Sequence, residues 1–404
     1  MNDNYRINCS IDSLKLINII NQKSDICLND KEYIMSTDSR FIQKNDIFIA
    51  LKGRYSDGHN FLSQAFNNGA SVAIISEKKI FEESNFPLIL VQDTFVALSK
   101  ISEYNFKDIK SLKIAITGSV GKTTTKDYLK NVLSYYEPTF AAPESFNNEL
   151  GIALSKAKIS KLDKYAIFEV GMNMKNEISN LSKLINPDIA IITNIGEAHI
   201  GNLGSKKNIA IEKSNIIDGM SNNGIVLLPR DSDYFEFLQK KALAKNLRLI
   251  TFGYSNKSDI QISKITRDKG RVFVEFRVFG KVFEAYSNMQ NISIINNYLP
   301  VLGIAHILNY DLNEVLKNII KSNVHKSRWQ EFDFELDKGH VKLIDDTYNA
   351  SPTSMFEAIR SVDEYEADQI FRKIIIIGDM LELGDFNEKY HSDLVNIINK
   401  TNID

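Results

Sequence analysis

The 404-residue chain balances 49 Lys and Arg against 51 Asp and Glu, a formal charge of −2 and a sequence pI near 6.4, so it lacks the basic footprint of a nucleic-acid binder and none is expected as partner. With 43% apolar and 25% charged residues it reads as a soluble globular protein, too long for one ordinary core, so two or three domains are expected. No run approaches the roughly 18 uninterrupted apolar residues of a membrane span, and Cys9 and Cys27 show no metal-type spacing and follow no secretory leader, which makes a reducing cytoplasm the simplest setting.

In chain order, residues 1–110 form a first block with strand-like runs DIFIAL (46–51), SVAIIS (71–76) and PLILV (87–91), a small α/β unit. Residues 113–126 then read KIAITGSVGKTTTK, an apolar strand entering a glycine-rich turn, a lysine, a hydroxyl pair and a helix. That order makes a triphosphate-binding loop. Gly118 and Gly121 let the backbone of Ser119 and Val120 turn its N–H groups toward phosphate oxygens at the positive end of the following helix. Lys122 reaches the β/γ-phosphates, and the Thr123 hydroxyl, followed by Thr124, is placed to ligate Mg²⁺. The common spacing of this motif has a glycine where this chain has Ile116. The context supports the reading nonetheless, because Tyr128, Leu129, Val132, Leu133 and Tyr136 recur at helical spacing behind the turn.

Apolar runs starting at Tyr165 (YAIFEV), Asp188 (DIAIIT), Gly224 (GIVLL) and Leu247 (LRLITF) alternate with helical segments, the pattern of a parallel sheet covered by helices. Residues 271–279, RVFVEFRVF, alternate with period two and read as an antiparallel strand appended to that sheet, followed by a helix over 296–308. After Arg328, VKLIDD from Val341, a helix from about Pro352 and KIIIIGD from Lys373 read as a third, Rossmann-like unit, incomplete because only two strands can be counted. The expected fold class is α/β: a central P-loop parallel-sheet ATPase domain at 111–327, flanked by domains at 1–110 and 328–404.

In P-loop enzymes a second metal-holding group comes from the end of a neighbouring strand, because the sheet aims both at one phosphate edge. Glu169 closes YAIFEV and is the candidate. The next strand runs into Gly196, Glu197, Ala198 and His199, which puts an imidazole at the same edge and makes His199 a candidate for a second Mg²⁺ or Mn²⁺.

Several segments together resemble the Mur ligases: TGSVGKTTTK in the loop, PESFNNELGIAL (143–154), FEVGMNMKNEISNL from Phe168 and TNIGEAHIGNLGS from Thr193. The likeness extends through TDSR (37–40), FIALKGRYSDGHNFLSQAFNNGA (48–70), DDTYNASPTSM (345–355) and GDMLELG (378–384). It implies a three-domain architecture and an ATP-dependent ligase of peptidoglycan precursor synthesis, narrowest to the branch that joins D-Ala-D-Ala to UDP-MurNAc-tripeptide. It also implies an acyl-phosphate intermediate, a monomer and no membrane partner. Lys213 corresponds to a lysine that the family commonly carbamylates so that it helps His199 hold the second cation. Ser39, Arg40, Asp57 and His59 fall in the block that holds the UDP-sugar, Asn147 and Asn148 among substrate positions, and Asn296, Arg328, Asp346 and Asn349 near the nucleotide. The family's Gly-x-His-Asn-x-x-Asn segment is matched only at its final residue, Asn296, its His-Asn pair appearing as Ile292 and Ser293. The rival readings are the branch that adds a diamino acid one step earlier, folylpolyglutamate synthase, which shares the central domain, and a member that binds nucleotide without joining a peptide.

Overall fold

The computed structural model describes residues 6–9, 33–53, 56–268, 270–322, 327–337, 339–365 and 372–403. Cys27 and the Arg54–Tyr55 pair of the 48–70 segment lie outside them. The chain divides into two compact units, one of Met1–Ser111 with Ala142–Lys164, the other of Leu112–Ala141 with Tyr165–Asp404.

The first unit is built on a five-stranded sheet in sequential order, β1 (Arg6–Cys9), β2 (Tyr33–Ser36), β3 (Ile47–Ile49), β4 (Val72–Ile75) and β5 (Leu88–Leu90). β1 is antiparallel to β2, and the remaining pairs are parallel. β3 and β4 are buried at every position, as continuous apolar runs in a sheet covered on both faces must be. The Thr94–Phe106 helix starts at Asp93, whose carboxylate accepts the N–H groups of Phe95 and Val96. It packs against the Glu149–Lys158 helix, where the buried Ser102 hydroxyl lies 2.8 Å from the carbonyls of both Leu98 and Ala153. That second helix belongs to this unit although it follows the phosphate loop in sequence: Phe146, Ala153, Leu154 and Ala157 share one core with Ile7, Ile49 and Ile101.

The second unit carries a nine-stranded sheet. In chain order its strands are β6 (Leu112–Thr117), β7 (Thr139–Ala141), β8 (Tyr165–Glu169), β9 (Ile189–Ile192), β10 (Ile225–Pro229), β11 (Arg248–Gly253), β12 (Ile260–Asp268), β13 (Arg271–Val278) and β14 (Lys281–Ser287). Their spatial order is β14-β13-β12-β11-β10-β9-β6-β8-β7. Pairing is parallel from β7 to β12 and antiparallel across β12-β13-β14, so the alternating RVFVEFRVF run is the appended antiparallel strand that its period predicts. The order reverses at β6, which lies between β8 and β9, and a crevice opens at such a switch point. Tyr128, Leu129, Val132 and Leu133 of the Lys122–Tyr136 helix are buried against the sheet, and the Tyr298–Ile307 helix is buried nearly all round.

Past Arg328 the structure departs from the expected Rossmann-like start. VKLIDD is a strand, β16 (Gly339–Asp345), but it pairs antiparallel with β15 (Gln330–Leu336) in a two-stranded sheet, not parallel to a following strand. The Pro352–Asp363 helix is present and begins with a capping box in which Ser351 and Ser354 satisfy each other's backbone. Residues 373–379, expected as a strand, take no regular structure, and Ile374 and Ile376 are 63% and 95% exposed. An apolar run becomes a strand only where a neighbour takes its backbone donors and acceptors, and among the described residues none does so. The Asn387–Ile398 helix closes the described chain. No described helix is long and apolar enough to cross a membrane.

Candidate nucleotide and catalytic site

The loop between β6 and the Lys122–Tyr136 helix turns at Gly118 (φ 155°) and Gly121 (φ 80°). A Cβ at Gly118 would fall 1.8 Å from Thr193 Oγ1, and one at Gly121 would fall 2.2 Å from Asn297 Oδ1, so both positions require the missing side chain as well as the backbone freedom. Sheet register brings the partners to the loop. Ile116 pairs with Glu169 on β8 and Thr117 with Ile192 on β9, so both neighbouring strands end level with the turn. Glu169, at 5% exposure, accepts a 2.8 Å hydrogen bond from the Thr123 hydroxyl, joining the two groups expected to hold a cation. Lys122 folds back to donate to the Gly118 carbonyl at 3.0 Å. Burial pushes its amine below the ordinary lysine range, with Glu169 opposing and Arg328 adding to the shift.

The exit of β9 holds the loop in place. Asn194 Oδ1 accepts the N–H groups of Ser119 and Val120, each at 3.0 Å. The Thr193 hydroxyl donates to the Val120 carbonyl at 2.6 Å, and Ser119 exchanges hydrogen bonds with the Gly196 backbone. His199 stands just beyond, at φ 66°, with Nδ1 beside the Glu382 carboxylate, a close contact that is an ion pair only when the ring is protonated and that lacks hydrogen-bond alignment here. Burial lowers its pKa, Glu382 opposing, while the charges of Lys213 and Lys122 lower it further. Lys213, on the Lys206–Ser214 helix, is 2% exposed; desolvation holds its amine well below the usual value, Lys122 adds to the depression, and only the neighbouring Glu212 opposes it.

Beyond the loop lies a cleft of about 340 Å³ lined by Gly121, Thr124, Asn296, Asn297, Arg328 and Asp346 among others. Arg328 donates to Thr123 Oγ1 at 3.1 Å and stacks on the Tyr348 ring with its guanidinium carbon 3.8 Å from the centroid. Asp346 accepts the Trp329 N–H at 3.1 Å; although the residue is exposed overall, desolvation by the protein around its carboxyl raises it to about 6 against the pull of that N–H and of Arg328. Asn296 accepts from the Tyr254 hydroxyl at 2.6 Å. Asn349 is exposed and absent from the cleft lining; its side chain accepts the N–H of Ala350. Ser293 lines the cleft and Ile292 does not. The structure thus gathers the loop, Glu169 and Arg328 at one point and places Asp346 and Asn296 along one cleft. Sequence reasoning missed Asn194, Asn297, Tyr254 and Glu382. Asn194 was within its reach, since it follows the end of a strand adjacent to the loop strand, where sheet geometry aims side chains at the switch point.

In the first unit the sugar-block residues are engaged locally. Asp38 pairs with Arg40 at 2.6 Å, and Ser39 donates to Gln64 at 2.6 Å. Asp57 caps a short turn through the His59 N–H and holds the ring at Nδ1, while Nε2 accepts the Ser76 N–H at 3.0 Å. Asn148 caps the Glu149–Lys158 helix through the Gly151 N–H, directly after Asn147.

Three sequence families cover these regions: the Mur ligase middle domain matches residues 116–305, the Mur ligase family catalytic domain 32–109, and the Mur ligase glutamate ligase domain 328–404. The chain belongs to the Mur ligase family. Among its curated relatives, the UDP-N-acetylmuramoyl-tripeptide–D-alanyl-D-alanine ligase of Rickettsia prowazekii is 34% identical over 88% of this chain and 78% of its own length. The protein of the same name from Bacillus subtilis is 32% identical over 92% of this chain and 78% of its own. Of solved structures, MurF from Acinetobacter baumannii superposes with a TM-score of 0.86 at 28% identity, covering 97% of this chain and 84% of that one. The MurF ligase of Thermotoga maritima in complex with ADP gives 0.79 at 26% identity over 91% and 82%. A folylpolyglutamate synthase of L. casei, at 12% identity and a TM-score of 0.56, shares the fold.

Proposed function

We propose that this Mur ligase is an ATP-dependent carbon–nitrogen ligase that joins D-Ala-D-Ala to UDP-MurNAc-tripeptide, as the names of its relatives suggest, acting as a cytoplasmic monomer in peptidoglycan precursor synthesis. The observation that carries the reading is the buried meeting of Thr123, Glu169 and Arg328 at the phosphate loop. Arg328 Nε is buried with no partner among the described residues, a donor that an anionic ligand would satisfy.

The chemistry begins with a poor electrophile, the tripeptide carboxylate. Its oxygen attacks the γ-phosphorus of ATP, ADP departs, and the acyl phosphate so formed carries a good leaving group. The D-Ala-D-Ala amine then attacks the acyl carbon, inorganic phosphate leaves, and the amine nitrogen gives up a proton as the amide forms. Within the protein, Lys122 and the N–H groups at the start of its helix would meet the charge on the transferring phosphoryl group, and Arg328 would add a second cation at the Thr123 side; the Ser119 and Val120 N–H groups, expected to face phosphate, are instead taken by Asn194. Asn296 and Asp346 would hold the rest of the nucleotide; Asn349, which the family resemblance puts there too, lies outside that cleft. Ser39, Arg40, Asp57, His59, Asn147 and Asn148 would hold the UDP-sugar substrate. Positioning and electrostatics suffice, so no serine or cysteine nucleophile is required.

The donors at the loop suit Mg²⁺: a hydroxyl and a carboxylate 2.8 Å apart and nearly free of solvent. Thr123 and Glu169 would hold one ion, and His199 with Lys213 a second, Mg²⁺ or Mn²⁺; when bound, their charge offsets that of the phosphates and polarises the substrate carboxylate. A carbamate on Lys213 would add a carboxylate to His199 at the second ion, beside the waters and phosphate oxygens that Mg²⁺ retains. A desolvated, neutral amine can attack CO₂ and lose a proton to give that carbamate, and the burial of Lys213 supports this. The three-domain division at 1–110, 111–327 and 328–404 is part of the same reading, with Ala142–Lys164 returning to the core of the first unit.

The test is phosphate release by the purified chain with ATP, Mg²⁺ and UDP-MurNAc-tripeptide, with and without D-Ala-D-Ala, following product mass. Release that depends on the dipeptide, with a product heavier by that dipeptide, is the expected result. ATP binding without product would make the chain a nucleotide-binding member that joins no peptide. Product heavier by a diamino acid, formed from UDP-MurNAc-dipeptide, would move it to the neighbouring branch.

A further inference from the structure

We propose that Glu382 is a positioning residue for His199, holding the imidazole by Nδ1 so that Nε2 is the nitrogen presented to a cation. The inference rests on the reading of His199 as a metal-holding group. A histidine ligand is commonly fixed by a carboxylate on its other ring nitrogen, which sets both tautomer and ring orientation. Glu382 lies 183 positions further along the chain from the ring it touches.

Three features show that the contact is built rather than incidental. His199 and Glu382 both hold left-handed backbone, at φ 66° and 59°, although neither is glycine. Such conformations persist where surrounding contacts over-determine them. The Gly201 N–H donates to the Glu382 carbonyl at 2.9 Å, so backbone and side chain of Glu382 both engage the turn that carries the histidine. A Cβ on Gly201 would meet the Glu382 oxygen and the Gly384 nitrogen at 2.6 Å, a closeness that only glycine permits. The segment bearing Glu382 is itself anchored: Met380 and Leu383 are 2% and 3% exposed, and the Met380 N–H reaches the His391 ring at 3.2 Å. Glu382 is thus held by buried apolar residues on both sides while its carboxylate reaches the ring.

The experiment is an electron paramagnetic resonance titration of Mn²⁺ into the full chain saturated with a non-hydrolysable ATP analogue, resolving the first and second ions, with thermal melting as a folding control. His199→Ala serves as reference and should lose the second ion. Glu382→Ala should weaken that ion by about tenfold or more while leaving the first ion and the melting temperature in place. Glu382→Gln, whose amide oxygen can still accept from Nδ1–H, should recover most of the loss. Gly201→Ala keeps the carboxylate but displaces its segment, and should act in the same direction as Glu382→Ala. If His199→Ala loses the second ion while Glu382→Ala and Gly201→Ala bind it as the wild type does, the positioning role is overturned and the metal reading stands. If His199→Ala binds both ions normally, the metal reading of His199 fails and this inference with it.

Discussion

Polar side chains of the nucleotide site find partners far along the chain, whereas those of the sugar block in the first unit mostly find partners next door. Thr123 meets Glu169 across 46 positions and Arg328 across 205, while Asp38 meets Arg40 and Asp57 meets His59 across two. Local pairs of the second kind are what a turn uses to build itself, since a short carboxylate satisfies backbone N–H groups two residues on. Convergence of the first kind has no such local purpose, and it concentrates charge in a place where solvent is scarce. The same residue types therefore carry different weight as functional candidates in the two regions.

Four substitutions break or sharpen that contrast. The largest effect is expected at the loop, where Lys122→Ala should lower turnover by roughly 10³-fold or more in a phosphate-release assay and leave UDP-sugar binding intact. An active Lys122→Ala enzyme would remove the loop from the mechanism. In the first unit, His59→Ala strips partners from Asp57 and the Ser76 N–H, at a cost of roughly 2–4 kcal/mol in urea unfolding. Its affinity for the sugar nucleotide, measured under native conditions, should fall as well; a loss of stability with unchanged affinity would remove His59 from the ligand contacts and leave it a purely structural residue.

Asp346 supplies a pH test. Its folded pKa, about 6, lies above the 3.8 of an ordinary aspartate, so the folded state holds the proton more tightly. The stability it contributes is full below about pH 4 and declines as pH rises through 6, by less than the shift alone would give because the residue is open to solvent. Asp346→Asn cannot ionise, and its melting temperature should gain on the wild type between pH 4 and 7 in the absence of ligand. A constant difference across that range would show that the carboxyl titrates normally. The smallest effect is expected for Arg40→Ala, which should raise the KM for the sugar nucleotide by about tenfold with kcat unchanged, the loss of one charge-assisted contact.

Much of the central architecture was legible in the sequence because strand and loop signals there are local. The apolar runs at β6, β8, β9, β10 and β11 and the period-two run at β13 all became strands, in the parallel and antiparallel senses expected. What failed was what depends on a neighbour. VKLIDD and KIIIIGD look alike as apolar runs, yet the first pairs antiparallel with β15 and the second stays unpaired among the described residues. In the site, Lys122 and Thr123 were readable from a contiguous motif, and Glu169 from its place at a strand end. Asn194 could have been read the same way and was not, whereas Glu382 acts on a partner that only the tertiary path brings near.

The return of Ala142–Lys164 to the first unit has a consequence for how this protein can be cut and how it is made. A fragment ending near residue 110, where the sequence suggests a boundary, would lack Phe146, Ala153, Leu154 and Ala157 and would leave its remaining core open to water. Such a piece should be prone to aggregation, whereas one rejoined to the later helix should not. During synthesis the amino-terminal unit stays unfinished until residue 164 has left the ribosome, after β6 and the phosphate-loop helix have already been made. The two cores are therefore interleaved in time as well as in sequence, the second beginning to emerge before the first has all its strands and helices to hand.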